Sequence, residues 1–254
     1  MTPFASELLG TTVLALLGTS TACNARLART SGGGMSHAAL AAGWGAAFAV
    51  AMLVVGRTGG QLNPAVTFAM WLTERTAGAE AASRVGAQFA GTAIGMVLAC
   101  LAFLPQWPHA GAQSAGALYR APEVRAPLAN LLASAIASGA FVLLMLRLVA
   151  GDPLPGDAGA ADDAGLPAAT LAPFVVSHLG EASLLAGAGF FAVLLGLGGT
   201  GAPVTPTLGL CGRAVHAALP LPGKARTDWR DAWLSLAGPA LGAALAAWAW
   251  RATT

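Results

Sequence analysis

The ten residues TGGQLNPAVT, Thr58–Thr67, interrupt a chain that is otherwise apolar on both sides. The run before them, about 37–56, is long enough to cross a bilayer; the run NPAVTFAMWL, 63–72, is not. A short apolar helix that cannot span must begin inside the membrane, where its first backbone N–H groups lack intrahelical partners. Bare N–H groups in lipid cost several kcal/mol each, so the break survives only where it is buried in protein or lines a wet cavity. Pro64 suits such a start because it brings no N–H to the first turn. Asn63, just before it, is a good N-cap residue.

The same punctuation recurs. Thr200-Gly-Ala-Pro-Val-Thr-Pro-Thr-Leu sets Thr, Gly and Pro in register with Thr58-Gly-Gly-Gln-Leu-Asn-Pro-Ala-Val, an offset of 205 − 63 = 142. AGTAIG (90–95) and AGPALG (237–242) match at 237 − 90 = 147. Spans are expected at about 5–25, 37–56, 84–104, 127–149, 180–199 and 231–250. Each half therefore holds two spans, a proline-bearing short helix and a third span. Three is odd, so the second half enters the membrane from the opposite face. The expected fold is an all-α membrane protein of six transmembrane helices plus two re-entrant half-helices in an inverted three-plus-three repeat. It forms one channel domain over 1–254, with repeats 4–104 and 127–250 and an acidic loop at 151–170. LAPFVVSHLGE (171–181) fits either an extension of the fifth span or an interfacial segment. The N-terminus has no basic leader and carries Glu7 inside its apolar run, which reads as a retained span.

Composition agrees. Hydrophobic residues make up 56% of the 254 and charged residues 9%, with a mean hydropathy of +0.67. A soluble domain carries about 25% charged residues, so the expected surroundings are a lipid bilayer. The net charge of +2 is too slight for a nucleic-acid partner. Cys23, Cys100 and Cys211 are odd in number and scattered, which fits neither a disulfide framework nor a zinc site. No metal, cofactor or enzymatic constellation is expected.

Two half-helices entering from opposite faces bring their N-termini together near the midplane. Each end carries about half a positive charge, and such paired ends exclude cations from a pore. Asn63 adds an amide donor for the oxygen of a neutral solute. The reading is a passive channel for small neutral solutes, with water as a second candidate. The alternatives are a non-conducting structural or regulatory relative and a proton-coupled transporter. Coupling calls for buried ionisable residues, and only Glu7 lies clearly inside a span.

TGGQLNPAVT resembles the first signature of the aquaporin and glycerol-facilitator family, the major intrinsic proteins. FASELLGTTVLALLGTSTACN (4–24) is similar to that family's first span, with Glu7 in the place of its helix glutamate. QFAGTAIG (88–95) is similar to its third span and AWLSLAGPALGAALAAWAW (232–250) to its sixth. The likeness covers nearly the whole chain. It implies passive permeation of glycerol-like solutes, a homotetramer with a pore in each subunit, and a cell (inner) membrane location with both termini cytoplasmic. The family's two Asn-Pro-Ala boxes map to Asn63-Pro64-Ala65 and to a degenerate Thr205-Pro206-Thr207, where Thr205 keeps a single hydroxyl donor. The selectivity arginine maps to Leu208. The other constriction positions map to Val193, Ala202 and either Trp44 or Gly43, which gives a mostly apolar ring. The glutamate of the fourth span is absent, and Asn130, Ser134 and Ser138 stand there instead. The resemblance casts Glu7 as a structural buried acid bracing a half-helix loop. Arg213 reads as a snorkelling or interfacial charge. Cytoplasmic termini leave five basic residues inside, Arg84 among them, and 13 − 5 = 8 outside, against the positive-inside tendency.

Overall fold

The computed structural model describes residues 1–56, 60–110, 115–149 and 168–253, the stretch 168–179 by its backbone alone. The described residues form nine α-helices: α1 (Pro3–Arg26), α2 (His37–Val55), α3 (Pro64–Leu72), α4 (Gly78–Ala102), α5 (Ala115–Leu118), α6 (Pro127–Val149), α7 (Ala168–Leu197), α8 (Pro206–Ala218) and α9 (Leu234–Thr253). Arg57, Thr58, Gly59 and the acidic loop up to residue 167 lie outside the described residues. The segment 171–181 lies within α7 and so extends the fifth span.

Local chemistry sets several helix ends. Thr2 accepts from the Ala5 N–H and Ser36 from the Ala39 N–H, each at 3.2 Å, at the starts of α1 and α2. Gly56, at φ 55°, ends α2 in a conformation that glycine adopts without strain. Five helices are long and apolar enough to cross a membrane: α1, α2, α4, α6 and the part of α7 from Gly180 onward. α9 has the length and a single charge, Arg251, but not the hydropathy. Ser235, Gly238, Pro239, Gly242 and two tryptophans dilute it. Its packing nonetheless matches that of a spanning helix, because α9 lies along α6 as α4 lies along α1.

That pairing is one of several that come in twos. α1 packs on α2 as α6 packs on α7, and α3 contacts α9 as α8 contacts α4. Small residues permit these approaches. A side chain at Gly91 or Gly95 would run into the backbone of α1 at Leu8 or Thr12. Their counterparts, at 238 − 91 = 147 and 242 − 95 = 147, would run into Ser134 and Ala135 of α6. Where α2 meets α7, Gly45 and Gly187 face each other directly. A Cβ on Gly45 would sit 2.7 Å from the Gly187 carbonyl oxygen, and one on Gly187 2.6 Å from that of Gly45. The offset is again 187 − 45 = 142. Equivalent glycines touching one another place the internal symmetry axis at this contact.

The interior around that axis is apolar. Phe48, Phe141 and Phe190, from α2, α6 and α7, pack with ring centroids 5.1–5.2 Å apart. Leu62, Ala65, Val66 and Val204 join the same cluster, so the approaches to both short helices converge on one core. The outer surface is also apolar: Ile94, Leu98, Leu101, Leu132, Ile136 and Leu245 are exposed. A face of this kind matches lipid rather than water.

Candidate functional site

α3 and α8 are the two short helices that the repeat predicts, and each begins in the interior. Asn63 and Thr205 are 0% and 3% exposed, and the Pro-Ala and Pro-Thr pairs after them are buried too. The far ends emerge: Trp71 near the end of α3 is 45% exposed, and Ala217 and Ala218 of α8 are exposed. α3 and α8 touch. This is the geometry of half-helices that enter and stop.

Glu7 anchors the first of them. Its two carboxylate oxygens accept the backbone N–H groups of Gln61 and Leu62 at 2.7 and 2.8 Å, the Arg84 guanidinium at 2.8 Å and the Gln88 amide at 2.9 Å. Gln88 also donates to Thr67 on α3 at 2.9 Å. Presenting two successive N–H groups to one carboxylate bends the chain, and Leu62 takes a left-handed φ of 55°. Such a conformation costs a non-glycine residue about 1–3 kcal/mol unless its surroundings hold it. Asn63 then caps α3, its Oδ1 accepting from the Ala65 N–H at 2.9 Å. With the oxygen so used, Asn63 Nδ2 is left buried and without a partner among the described residues.

The second half solves the same problem differently. Pro203 and Val204 stand at the register of Gln61 and Leu62, 203 − 61 = 142. Proline has no N–H, so one of the two donors that Glu7 satisfies does not exist here. The carbonyls of this turn are met by hydroxyls. Ser134 donates to the Pro203 carbonyl and Ser138 to the Val204 carbonyl, the latter at 3.0 Å. Asn130 instead holds the Val124 carbonyl at 2.9 Å. The missing glutamate of the fourth span thus coincides with a missing donor. Thr205 departs from the expected cap: it occupies the N-cap position of α8, but its hydroxyl makes no capping bond. Thr205 Oγ1 is buried without a partner among the described residues.

Thr205 lines a cavity of about 110 Å³, together with Trp44, Phe190, Leu194, Ala202 and Leu208. A water needs about 10–15 Å³ by this measure, so the space holds several waters or a short hydroxylated chain. Three of the four expected constriction residues, Trp44, Ala202 and Leu208, are in the wall. Val193 is not: it packs against the apolar core, and Phe190 and Leu194, one turn apart on α7, take the wall. One residue is about 100° of helix rotation, enough to turn a side chain from cavity to core. Of the two candidates at this position, Trp44 is in the wall, and Gly43 lies against Thr21. Asn63, Pro64, Ala65, Pro206 and Thr207 are buried but lie outside this wall.

The Trp44 ring packs against Gly18 of α1, where an added Cβ would collide with its Cε3 and Cζ3. Gly18→Ala must therefore swing the indole off α1 toward the cavity. The expected result is solute flux lowered about tenfold, a barrier change of about 1.4 kcal/mol, with recovery in Gly18→Ala/Trp44→Ala. Flux in reconstituted vesicles checks this; an unaltered single variant removes Trp44 from the bore.

The wall is less apolar than the sequence implies. Arg26, His37 and Arg120 also line it. Arg120 donates to the Gly198 carbonyl at 3.1 Å. His37 Nε2 lies 3.0 Å from the Leu194 carbonyl oxygen at the end of α7. Partial desolvation and the nearby Arg26 charge pull the Arg120 pKa below its ordinary value. Arg213 is not the snorkelling charge its sequence position suggests. It is 1% exposed, with Nε on the Asp228 carbonyl at 2.8 Å, Nη1 on the Gly209 carbonyl at 2.9 Å and Nη2 on the Arg120 carbonyl at 3.4 Å. Its guanidinium lies 4.8 Å from the Tyr119 ring centroid. The Tyr119 hydroxyl in turn accepts the Asp228 N–H at 2.9 Å. Hydrogen bonds from Arg230 hold the Asp228 carboxyl well below the usual carboxylate range. Arg213 therefore ties α8 to two connecting segments, and one of them carries Arg120.

This architecture has known counterparts. Residues 1–153 match the model of the family described as "Major intrinsic protein". The chain is 32% identical over 251 residues to a probable glycerol uptake facilitator protein of Thermotoga maritima, covering 97% of each. It is 30% identical over 246 residues to the glycerol uptake facilitator protein of Bacillus subtilis, covering 95% of this chain and 81% of that one. Its fold is similar to the X-ray structure of the aquaglyceroporin from Plasmodium falciparum, with a TM-score of 0.72, 18% identity, and 97% and 93% of the two chains covered. Paired interior half-helices on an inverted repeat, and kinship along nearly the whole length, lead to one conclusion: the chain is an integral membrane protein belonging to the major intrinsic protein family.

Proposed function

We propose that the protein is a passive transmembrane channel for small neutral polyols of the glycerol type. The observation that carries this reading is the two-sided cavity. Trp44, Phe190, Leu194 and Leu208 offer an apolar wall to a carbon backbone, while Thr205 and the arginines offer polar groups to hydroxyls. A solute with one apolar and one hydroxylated edge fits that wall better than a sphere of water does. The relatives named as glycerol uptake facilitators support it. In this reading Asn63-Pro64-Ala65 and Thr205-Pro206-Thr207 start the two pore helices, and Asn63 Nδ2 and Thr205 Oγ1 are the free groups that a passing solute meets. Trp44, Ala202 and Leu208 set the bore, and the paired helix ends discourage cations. Glu7 is structural. Its oxygens are engaged by four donors that brace the α3 entrance, a role that speaks against coupled transport. The protein works as a homotetramer in the cell (inner) membrane with cytoplasmic termini. Burial of Arg84 and Arg213 withdraws one basic residue from each side of the charge balance, leaving 8 − 1 = 7 outside and 5 − 1 = 4 inside.

The test is stopped-flow light scattering on proteoliposomes, under a glycerol gradient and under an impermeant osmolyte. Re-swelling in glycerol well above empty vesicles, with modest water flux, is the expected pair of traces. Lipid-like traces in both would falsify the channel reading and favour a non-conducting relative.

A further inference from the structure

Beside the 110 Å³ cavity lies a wider one of about 500 Å³. The walls of the two share five residues: Arg26, Gly116, Tyr119, Arg120 and Gly201. Two of the five are glycines and one is a tyrosine, so the polar character of the wall the cavities share rests mainly on two guanidiniums. They reach it from different elements, Arg26 from the end of α1 and Arg120 from the segment after α5. Both are held toward this place. Gly116 lies against the Arg26 stem, at 3.2 Å from its Cδ to a built Cβ. Arg120 is tethered through its side chain to the Gly198 carbonyl, and its own carbonyl accepts from the buried Arg213. At Gly201 a side chain would crowd the Ala121 carbonyl, at 2.9 Å, and its φ of 74° suits glycine, so the shared wall carries no side chain at this point.

The charges are not cancelled locally. Asp228, in the wall of the wide cavity, is engaged by Arg125 and Arg230, each at 2.9 Å. Glu123 is the acid that offsets Arg120 in part. Two cations therefore share the wall common to both cavities, with Glu123 nearby. A guanidinium stays charged at any physiological pH and presents several N–H donors in a plane. Like charge within about 8 Å in a partly desolvated neck repels a third cation strongly enough to change its passage more than tenfold.

We propose that Arg26 and Arg120 form the charge-selective neck of this pore: they exclude small monovalent cations before these reach the half-helix ends, and let neutral hydroxylated solutes through. The proposal rests on the channel reading above. It assigns cation exclusion chiefly to one side chain at the end of α1 and one in the segment after α5, in a pore whose ring position next to the second half-helix motif is the apolar Leu208.

The experiment measures methylammonium influx, glycerol flux and water flux in proteoliposomes for the wild type, Arg120→Leu, Arg26→Leu/Arg120→Leu, Arg120→Gln and Arg120→Lys. The double leucine variant is expected to admit methylammonium about tenfold faster than the wild type, and Arg120→Gln to fall between them. Arg120→Lys keeps the charge and is expected to hold methylammonium out. The readout is the ratio of methylammonium to glycerol and water flux in each variant: loss of charge should raise that ratio, whereas a merely structural role for Arg120 would move all three fluxes together. Raised salt should increase methylammonium influx in the wild type, because the neck opens to the solvent of the wide cavity. Should the leucine variants aggregate, the glutamine and lysine pair carries the same comparison. The proposal is overturned if glycerol-conducting leucine or glutamine variants exclude methylammonium as the wild type does; the helix ends then form the whole barrier. It is equally overturned if Arg120→Lys leaks as much as Arg120→Leu. A wild type that conducts no glycerol strikes the channel reading instead, and is told apart by that control.

Discussion

Glu7→Ala protein will not be recovered as a monodisperse species from detergent. The substitution removes the acceptor of four hydrogen bonds at once and leaves Gln61 and Leu62 N–H groups bare in the interior. An orphaned buried donor costs about 1–3 kcal/mol. Breaking a buried ion pair from one side costs about 3–5 kcal/mol. Arg84 retains Glu80, 2.8 Å away, which softens the second penalty without removing it. Leu62 loses what holds its left-handed backbone. Set against a typical total stability of about 5–15 kcal/mol, the sum is disabling. Glu7→Gln keeps one acceptor oxygen and is expected to fall between, folding with a melting temperature lowered by several degrees. Size-exclusion profiles and thermal melts of the three proteins decide it. An alanine variant that elutes and melts like the wild type would show that the α3 entrance is held by something other than Glu7.

Leu208→Arg is expected to close the pore to polyols. The new side chain enters a space of about 110 Å³ whose wall already carries Arg26 and Arg120. It is longer than leucine and brings a third guanidinium beside two others. Glycerol flux should drop by at least about tenfold, close to empty vesicles, while water flux drops less because water needs less width. Leu208→Ile, similar in volume and equally apolar, serves as the control and should stay within about twofold. Glycerol flux in Leu208→Arg equal to wild type would mean that the wall at 208 is not on the path.

The backbone plan of the molecule is legible from Asn63-Pro64, Thr205-Pro206 and the glycine pairs. Proline and glycine act through φ, missing donors and missing Cβ atoms, all of which are properties of the residue itself. The lining is harder to read. Trp44 against Gly43, and Leu194 against Val193, differ by one residue of helix phase, and phase depends on how α2 and α7 pack. Arg213 shows the same limit in another form. Its burial needs Tyr119 and the Asp228 carbonyl, which arrive from 94 residues before it (213 − 119) and 15 after it (228 − 213). Arg26, in the last turn of α1, and Arg120, after α5, look like ordinary boundary charges for the same reason. Both line the cavities, and nothing in their local pattern announces that. α9 reads correctly as a span by register, although its Pro, Gly and Trp content hides it from a hydropathy criterion.

The glycine contact at the symmetry axis bears on how the protein is made. Gly45 and Gly187 are 142 residues apart. At a synthesis rate of about 5–20 residues per second, α2 waits roughly 7–30 s for the strip of backbone it packs against. During that interval the finished first repeat shows a glycine-lined groove to the membrane or to the insertion machinery. Crowding that groove, as Gly45→Leu does, would therefore be felt at assembly, as chains that insert both halves but never join them.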